Sequence, residues 1–227
     1  MRRQDLAKEL KFIATPEKGE VSALLLRPTY ATHLLVLGHG ASSNMRSPLL
    51  QAISERLADQ NIATFRYNFP YSENGGGRNS VATCTATIRS AVAAAHEAAP
   101  DLPILAGGHS FSGRMTSTAA SEAPIENVEG FVFFSFPLHP AGEPSTKRAD
   151  HLAAVTVPML FLSGTRDDLA DLDLLKPIVK SLCKRATLHL VDTADHGYKI
   201  LKTKRRSTED VFVEMARVVR VWASALN

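Results

Sequence analysis

The residues best suited to chemistry in this sequence lie in the stretch GGHSFSGR, residues 107–114. Ser110 follows a short apolar run and precedes a helical pattern, so we expect it where a strand turns into a helix. A serine nucleophile at such a sharp turn needs small residues two positions before and two positions after it. Gly108 and Ser112 meet that need. Ser112 is the weaker nucleophile candidate, because Arg114 takes its second small position.

Two further strand ends carry groups that could activate a serine. Asp167 lies in SGTRDD, directly after an apolar run, and His196 lies in DTADHGY, after the last predicted strand. Because the carboxyl ends of parallel strands meet at one edge of a sheet, we expect both side chains near Ser110. The order serine, aspartate, histidine is one of those described for catalytic triads.

Other interpretations are open at each position. Ser110 could simply cap a helix, Asp167 could do the same, and His196 could be an exposed loop histidine. Asp168 competes with Asp167, and Asp192 and Asp195 are also close to the histidine in sequence. We favour Asp167 because it is nearer to the end of the strand.

These three residue types suit acyl transfer. A serine hydroxyl is a poor nucleophile until a base removes its proton. A neutral imidazole can take that proton near pH 7 and later give it to the leaving group. A buried carboxylate fixes the tautomer of the imidazole and stabilises its charged form.

The same reaction needs hydrogen-bond donors for a tetrahedral oxyanion. The segment LGHGASSN, residues 37–44, follows the early apolar run HLLVL, and its glycines allow a tight backbone turn. We expect the donors to be the backbone N–H groups of Ala41 and Phe111, the latter being the residue after the nucleophile. His39 is interpreted as structural, holding this loop through a hydrogen bond from its ring.

Several other side chains are possible pocket residues. His109 precedes the nucleophile, and His139, in PLHPAG, follows another strand end. For His139 we favour a local hydrogen bond in its proline-rich loop. Arg114 and Arg66 could bind an anionic substrate, or either could be a structural ion-pair partner.

The elements that must position these residues alternate between strands and helices. The predicted strands are residues 11–15, 20–27, 33–37, 62–69, 103–106, 130–136, 158–163 and 187–191. The predicted helices are residues 48–60, 81–99, 114–122, 172–182 and 210–226, and residues 71–80 are expected to be a loop. This pattern predicts an α/β fold: a three-layer α/β/α sandwich, doubly wound around a mostly parallel sheet of about eight strands. We expect a single domain over residues 1–227 and no large cap domain.

Composition limits the other possibilities. Hydrophobic residues make up 44% of the 227 positions, and the net charge of +3 does not indicate a nucleic-acid partner. The densest basic run, residues 202–207, is expected to be a solvated turn. Cys84 and Cys183 are far apart, which favours reduced thiols in a cytoplasmic protein and predicts no metal site. The first twelve residues lack an apolar leader segment, and no apolar run approaches the ~18 residues that span a membrane.

Taken together, GHGASSNM, GGHSFSGR, SGTRD and ADHGY resemble the α/β-hydrolase superfamily over nearly the whole chain. The pattern is most similar to small uncapped members described as dienelactone-hydrolase-like, which include a vertebrate testis-expressed hydrolase-like protein and part of a chromatin acetyltransferase complex subunit. Two further stretches, residues 65–71 and 136–144, are similar to segments of this subgroup. The resemblance implies Ser110, Asp167 and His196 as triad positions.

The sequence departs from the family pattern at the elbow. The subgroup often has glycine at the position of Ser112 and a variable residue at the position of His109. Dienelactone hydrolases themselves use a cysteine nucleophile, so the serine here argues against that particular reaction.

These observations predict a serine hydrolase, of carboxylesterase or thioesterase type, that acts on a small-molecule ester or thioester without a cofactor. The alternative is an interaction module that keeps the fold with little or no activity, because a fold does not guarantee chemistry. A third hypothesis is acyl transfer to an alcohol instead of water. The oligomeric state is not predicted.

Overall fold

One eight-stranded sheet organises the computed structural model, which describes residues 7–226. The strands are β1 (Lys8–Thr15), β2 (Gly19–Leu26), β3 (His33–Gly38), β4 (Ile62–Tyr67), β5 (Ile104–His109), β6 (Val128–Phe134), β7 (Met159–Gly164) and β8 (Ala186–Val191). Their order in the sheet is β1-β2-β4-β3-β5-β6-β7-β8. The first two strands are antiparallel to their neighbours, and the six strands from β4 to β8 in the sheet run parallel.

Helices cover both faces of the sheet. They are α1 (Pro48–Asp59), α2 (Pro70–Asn74), α3 (Val81–Ala98), α4 (Phe111–Glu122), α5 (Leu172–Ser181) and α6 (Val211–Ala223). Buried side chains of α1 and α6 share one hydrophobic core, and those of α3, α4 and α5 share the other. The arrangement is the predicted three-layer sandwich, and the fold prediction is confirmed.

The central strands show why the predicted strands are continuously apolar. In β3, Leu34 and Val36 belong to one core, whereas Leu35 and Leu37 belong to the other. Side chains alternate between the two faces of a strand, so a strand covered on both faces needs apolar residues at every position. Parallel pairing from β5 through β6 and β7 to β8 brings the carboxyl ends of these strands, which precede the predicted site residues, to one edge of the sheet.

The helix starts differ in one informative way. The hydroxyl of Ser47 accepts a hydrogen bond from Leu50 N–H at the start of α1, and the hydroxyl of Ser80 accepts one from Thr83 N–H at the start of α3. Such caps satisfy N–H groups that have no acceptor within the helix. Ser110 takes the same position before α4, but its side chain makes no capping hydrogen bond.

Three local expectations are corrected. The segment 71–80 is not entirely loop, because Pro70 starts the short helix α2, where its fixed φ is favourable. Helix α4 begins at Phe111, three residues before the predicted start. The basic run 202–207 is not wholly solvated, because the side chain of Arg205 is buried in an ion pair with Glu214.

The connection between β6 and β7 holds no cap domain. It spans residues 135–158 and contains one 3-10 helix, Lys147–Ala154. In the part of the chain that the structure describes, no helix is both long and apolar enough to cross a membrane. The expectation about a leader segment concerns the first twelve residues, and residues 1–6 of these lie outside the described residues. Residue 227 also lies outside them.

Candidate active site

Ser110 lies at a strained turn between β5 and α4. Its φ is 53° and its ψ is −111°, a conformation that L residues rarely adopt. The turn is so tight that a methyl group on Gly108 would lie 2.4 Å from the carbonyl oxygen of Gly38 and 2.2 Å from Oγ of Ser112. Ser112 is fully buried and donates to the carbonyl oxygen of His109. The two small positions therefore contact each other, which physically explains the spacing that the sequence shows.

The hydroxyl of Ser110 lies against an imidazole. Its Oγ atom is 2.8 Å from Nε2 of His196, a residue of the loop that follows β8. The backbone N–H of Ser110 donates to the carbonyl oxygen of Phe134, which anchors the turn to the neighbouring strand β6. Freed from capping, the Ser110 side chain is available to the histidine.

The other ring nitrogen of His196 lies against the carboxylate of Asp167. Nδ1 is 2.9 Å from both Oδ1 and Oδ2, and the N–H of Leu169 also donates to Oδ1. The Asp167 side chain is fully buried, whereas 20% of the His196 side chain is exposed. Since a carboxylate only accepts hydrogen bonds, Nδ1 carries the proton and Nε2 is left to accept one from Ser110.

The competing aspartates lie elsewhere. Asp168 is exposed. Asp192 accepts a hydrogen bond from Arg206 N–H, and Asp195 accepts from the N–H groups of Gly197 and Lys199. Among the described carboxylates, only that of Asp167 bonds to the His196 ring.

The two predicted oxyanion donors are both unpaired. Phe111 is the first residue of α4, so its N–H has no acceptor within the helix. Within the described residues, neither this N–H nor that of Ala41 donates a hydrogen bond. A tetrahedral intermediate beside Ser110 would present an oxygen that needs two such donors.

His39 fixes the direction of the Ala41 N–H. Its Nδ1 lies 2.7 Å from the carbonyl oxygen of Gly40, and its Nε2 accepts a hydrogen bond from Phe69 N–H. Because the N–H and C=O of a trans peptide point in opposite directions, tying back the Gly40 oxygen aims the Ala41 N–H away from His39. Burial lowers the pKa of His39 to about 4, so the ring stays neutral and keeps this single tautomer.

His109 connects the turn at Ser110 to the loop that carries His196. Its Nε2 donates to the main-chain oxygen of His196 over 3.0 Å, and a methyl group on Gly40 would lie 3.1 Å from its Nδ1. Burial is the main cause of a lowered pKa of about 4, and the hydrogen bond to the main-chain oxygen of His196 opposes it in part. His109 is therefore a neutral contact between the two loops.

The remaining predicted residues have different surroundings. The ring of His139 donates to the carbonyl oxygen of Pro140 and accepts from Asp171 N–H, so both its nitrogens are used locally. Arg66 is buried and donates to the carbonyl oxygen of Met45, which places it inside the molecule and away from any bound substrate. Arg114 is partly exposed, with its Cζ atom 6.0 Å from the centre of the Phe111 ring.

A family model of the α/β-hydrolase domain matches residues 31–224. The chain belongs to this α/β-hydrolase family. The match runs from just before β3 to the end of α6 and contains every residue of the site described above.

Solved structures of similar fold support an uncapped subgroup of α/β-hydrolases. A dienelactone hydrolase from Anabaena variabilis is 19% identical with a TM-score of 0.73, and the match covers 96% of this chain and 98% of that one. A serine hydrolase without a lid from Xanthomonas campestris is 16% identical with a TM-score of 0.71, covering 95% and 94%. Est1E from Butyrivibrio proteoclasticus is 16% identical with a TM-score of 0.70, covering 97% and 98%.

The surroundings of the site in this α/β-hydrolase are open. A cavity of about 390 Å³ borders Asp167 and is lined by His139, Gly142 and Pro144 from the β6–β7 connection, among others. A cavity of about 530 Å³ lies between β1 and α3 and shares no residue with the site. Among residues 7–226 no group of histidine, cysteine, aspartate or glutamate side chains is arranged to hold a metal ion.

Sequence reasoning missed two features of this α/β-hydrolase. The link from His109 to the main chain of His196 joins residues 87 positions apart and has no local signal. Arg78, at the end of the glycine-rich segment, has its Cζ atom 5.4 Å from the centre of the Phe111 ring. A lone basic residue at the end of a glycine-rich loop, close to a predicted site, is the signal that could have found it.

Proposed function

We propose that the protein is a serine hydrolase that cleaves a carboxylic ester or thioester through an acyl-enzyme on Ser110. The observation that carries the proposal is the continuous hydrogen-bonded line from Asp167 through His196 to Ser110. Family membership supports hydrolase activity in general. The strained backbone of Ser110 supports the same conclusion, because such strain is retained where it presents a reactive group.

In the first half of the proposed reaction, Oγ of Ser110 attacks the carbonyl carbon of the substrate. Its proton moves to Nε2 of His196 as the new C–O bond forms. Asp167 stays ionised and stabilises the imidazolium through Nδ1–H. The negative charge on the former carbonyl oxygen is received by the N–H groups of Phe111 and Ala41, because both are unpaired in the resting site.

Collapse of this intermediate breaks the bond to the leaving group. The proton on Nε2 of His196 passes to the departing alcohol or thiol, which leaves the acyl group on Ser110. A water molecule then gives a proton to Nε2 and attacks the acyl carbon. The second collapse returns that proton to Ser110 and releases a carboxylic acid.

Labelling with a fluorophosphonate probe tests the proposal. The wild-type protein should be labelled, and Ser110→Ala should not. Ser224→Ala is a matched control, because this serine lies at the exposed end of α6 and should leave labelling intact. Folded wild-type protein that resists labelling would instead favour an interaction module with the hydrolase fold.

Turnover measurements extend the test to the histidine and to the substrate. His196→Ala should lower turnover of a p-nitrophenyl ester by roughly four powers of ten or more, with an unchanged circular dichroism spectrum. A panel of p-nitrophenyl esters and acyl-coenzyme A thioesters would separate esterase from thioesterase activity. Product analysis with added alcohol would separate hydrolysis from acyl transfer.

A further inference from the structure

Two arginines cover the ring of the residue next to the nucleophile. The Cζ atoms of Arg78 and Arg114 lie 5.4 Å and 6.0 Å from the centre of the Phe111 ring. Arg78 comes from the loop before α3, and Arg114 from the second turn of α4. Phe111 is the residue whose backbone N–H is free beside Ser110, so the two guanidinium groups are close to the reacting centre.

Two cations from two separate elements therefore converge on the Phe111 ring. Burial is the main cause of a lowered pKa of Arg114, and the positive charges of Arg148 and Arg78 lower it further, in agreement with this arrangement.

Within the described residues, no carboxylate forms an ion pair with either of these arginines. Arg27 pairs with Asp101 and Arg217 with Glu209, whereas Arg78 and Arg114 form no ion pair and no side-chain hydrogen bond to any described residue. An aromatic ring attracts a cation, but it supplies no negative charge to offset the repulsion between two.

An unused hydroxyl lies beside the same ring. Tyr71 packs edge-on against Phe111, with ring centres 6.4 Å apart, and only 9% of its surface is exposed. Its hydroxyl has no hydrogen-bond partner among the described residues. Burial raises the pKa of this hydroxyl, and the positive charge of Arg78 opposes the rise. A buried donor without an acceptor is costly, and an oxygen of a bound anion would relieve that cost.

We propose that Arg78 and Arg114 form an anion-binding subsite beside Ser110, so that the preferred substrate is an ester or thioester carrying a carboxylate or phosphate group. The inference rests on the proposed hydrolase function and adds the charge of the substrate to it. A planar guanidinium offers paired N–H donors to either anion.

Two matched substrate pairs test the proposal and separate the two anions. The carboxylate pair is the mono-p-nitrophenyl ester of glutaric acid against p-nitrophenyl pentanoate, which has the same number of acyl carbons and no charge. The phosphate pair is butyryl-coenzyme A against S-butyryl-pantetheine. In at least one pair, kcat/KM should be roughly tenfold or more higher for the anionic member, as expected for charge-assisted hydrogen bonds.

The arginine variants assign that preference to the subsite. Arg78→Gln combined with Arg114→Gln should lower the ratio of anionic to neutral kcat/KM by roughly tenfold or more. Lys180→Gln, which removes one positive charge from the exposed last turn of α5, should leave the ratio unchanged. Equal kcat/KM within both pairs, or a preference that survives in the double variant, would overturn the proposal.

A binding measurement keeps this result distinct from failure of the hydrolase proposal. If no ester or thioester is turned over, calorimetry with glutarate and with coenzyme A on the Ser110→Ala protein decides the question. The subsite predicts that one of these anions binds and that the double arginine variant weakens its binding by roughly tenfold or more. Absence of binding by both probes would overturn the subsite independently of catalysis.

Discussion

Nε2 of His109 donates a hydrogen bond to the main-chain oxygen of His196, 3.0 Å away. His109 thereby fixes the loop that carries His196 next to Ser110. The ring centres of the two histidines are 5.2 Å apart. Because burial holds the pKa of His109 near 4, the ring does not compete with His196 for a proton at neutral pH.

Loss of this link should reduce kcat more than it changes KM. His109→Phe keeps the ring volume but removes the donor, so His196 is no longer held 2.8 Å from Ser110. We expect kcat for a neutral ester to fall by between about tenfold and a hundredfold, since small misplacements of a catalytic group are costly. His109→Gln, whose amide N–H takes the place of Nε2, should recover much of the loss. Equal kcat values for the two variants would contradict a positioning role.

Asp167 and Asp168 form a natural pair for a test of the triad acid. Asp167→Asn should lower kcat by roughly 10⁴, because an amide no longer selects the tautomer of His196 that accepts the proton of Ser110. Asp168→Asn should change kcat by less than about twofold, as its carboxylate is exposed and bonds to no site residue. Steady-state kinetics with one p-nitrophenyl ester compares the two. A larger loss of kcat in the Asp168 variant would show that Asp168, and not Asp167, is the acid of the triad.

His39 should influence the oxyanion through the backbone. His39→Ala releases the Gly40 oxygen, and the Ala41 N–H then loses its fixed direction. Removing an oxyanion donor typically costs a factor of about 10² to 10³ in kcat, so disorienting one should cost up to that amount. His39→Asn, which retains a donor near the position of Nδ1, serves as the control. Unchanged kcat in a folded His39→Ala protein would exclude Ala41 as a donor.

The sequence predicts which three side chains meet beyond the sheet better than it predicts the residues that hold them in place. Ser110, Asp167 and His196 each follow a strand, and parallel strands necessarily end at one edge of the sheet. The tautomer of His39 and the reach of His109 depend on loops whose conformation is set by contacts far apart in sequence. The short helix α2 was missed for a local reason. The glycines after Asn74 favour a loop, and this signal outweighed the favourable proline at the start of the helix.

Gly108 should not tolerate a side chain. Its φ of 146° favours glycine, and a methyl group there would lie 2.4 Å and 2.8 Å from the backbone oxygen and nitrogen of Gly38. Backbone atoms in the centre of a sheet cannot move aside cheaply, so Gly108→Ala should lower the free energy of unfolding by more than about 2 kcal/mol. Gly77→Ala is the matched control, because a methyl group there meets nothing within 4 Å. Urea denaturation of both variants should show a large loss for the first and a change within about 0.5 kcal/mol for the second.

The buried neutral histidines should make the folded protein sensitive to mild acid. Burial lowers the pKa of His39 and of His109 from 6.5 to about 4. Below pH 6.5 the unfolded chain binds protons that the folded state excludes, so stability rises with pH across this window and is lost as pH falls from 6.5 towards 4. Each histidine accounts for on the order of 3 kcal/mol over that range. His33 and His151 act in the same direction.

Denaturation at several pH values separates these contributions. Between pH 6.5 and pH 4.5 the wild-type free energy of unfolding should fall steeply, and His39→Asn should remove up to about 1.4 kcal/mol per pH unit from the slope. His109→Gln should flatten the curve in the same way, whatever its effect on stability at pH 7, because an amide does not titrate. Wild-type and variant curves that run parallel through this window would contradict the prediction, because both rings would then bind protons in the folded state. The neutral tautomers that orient Ala41 and His196 would in that case be lost between pH 6.5 and pH 4.5.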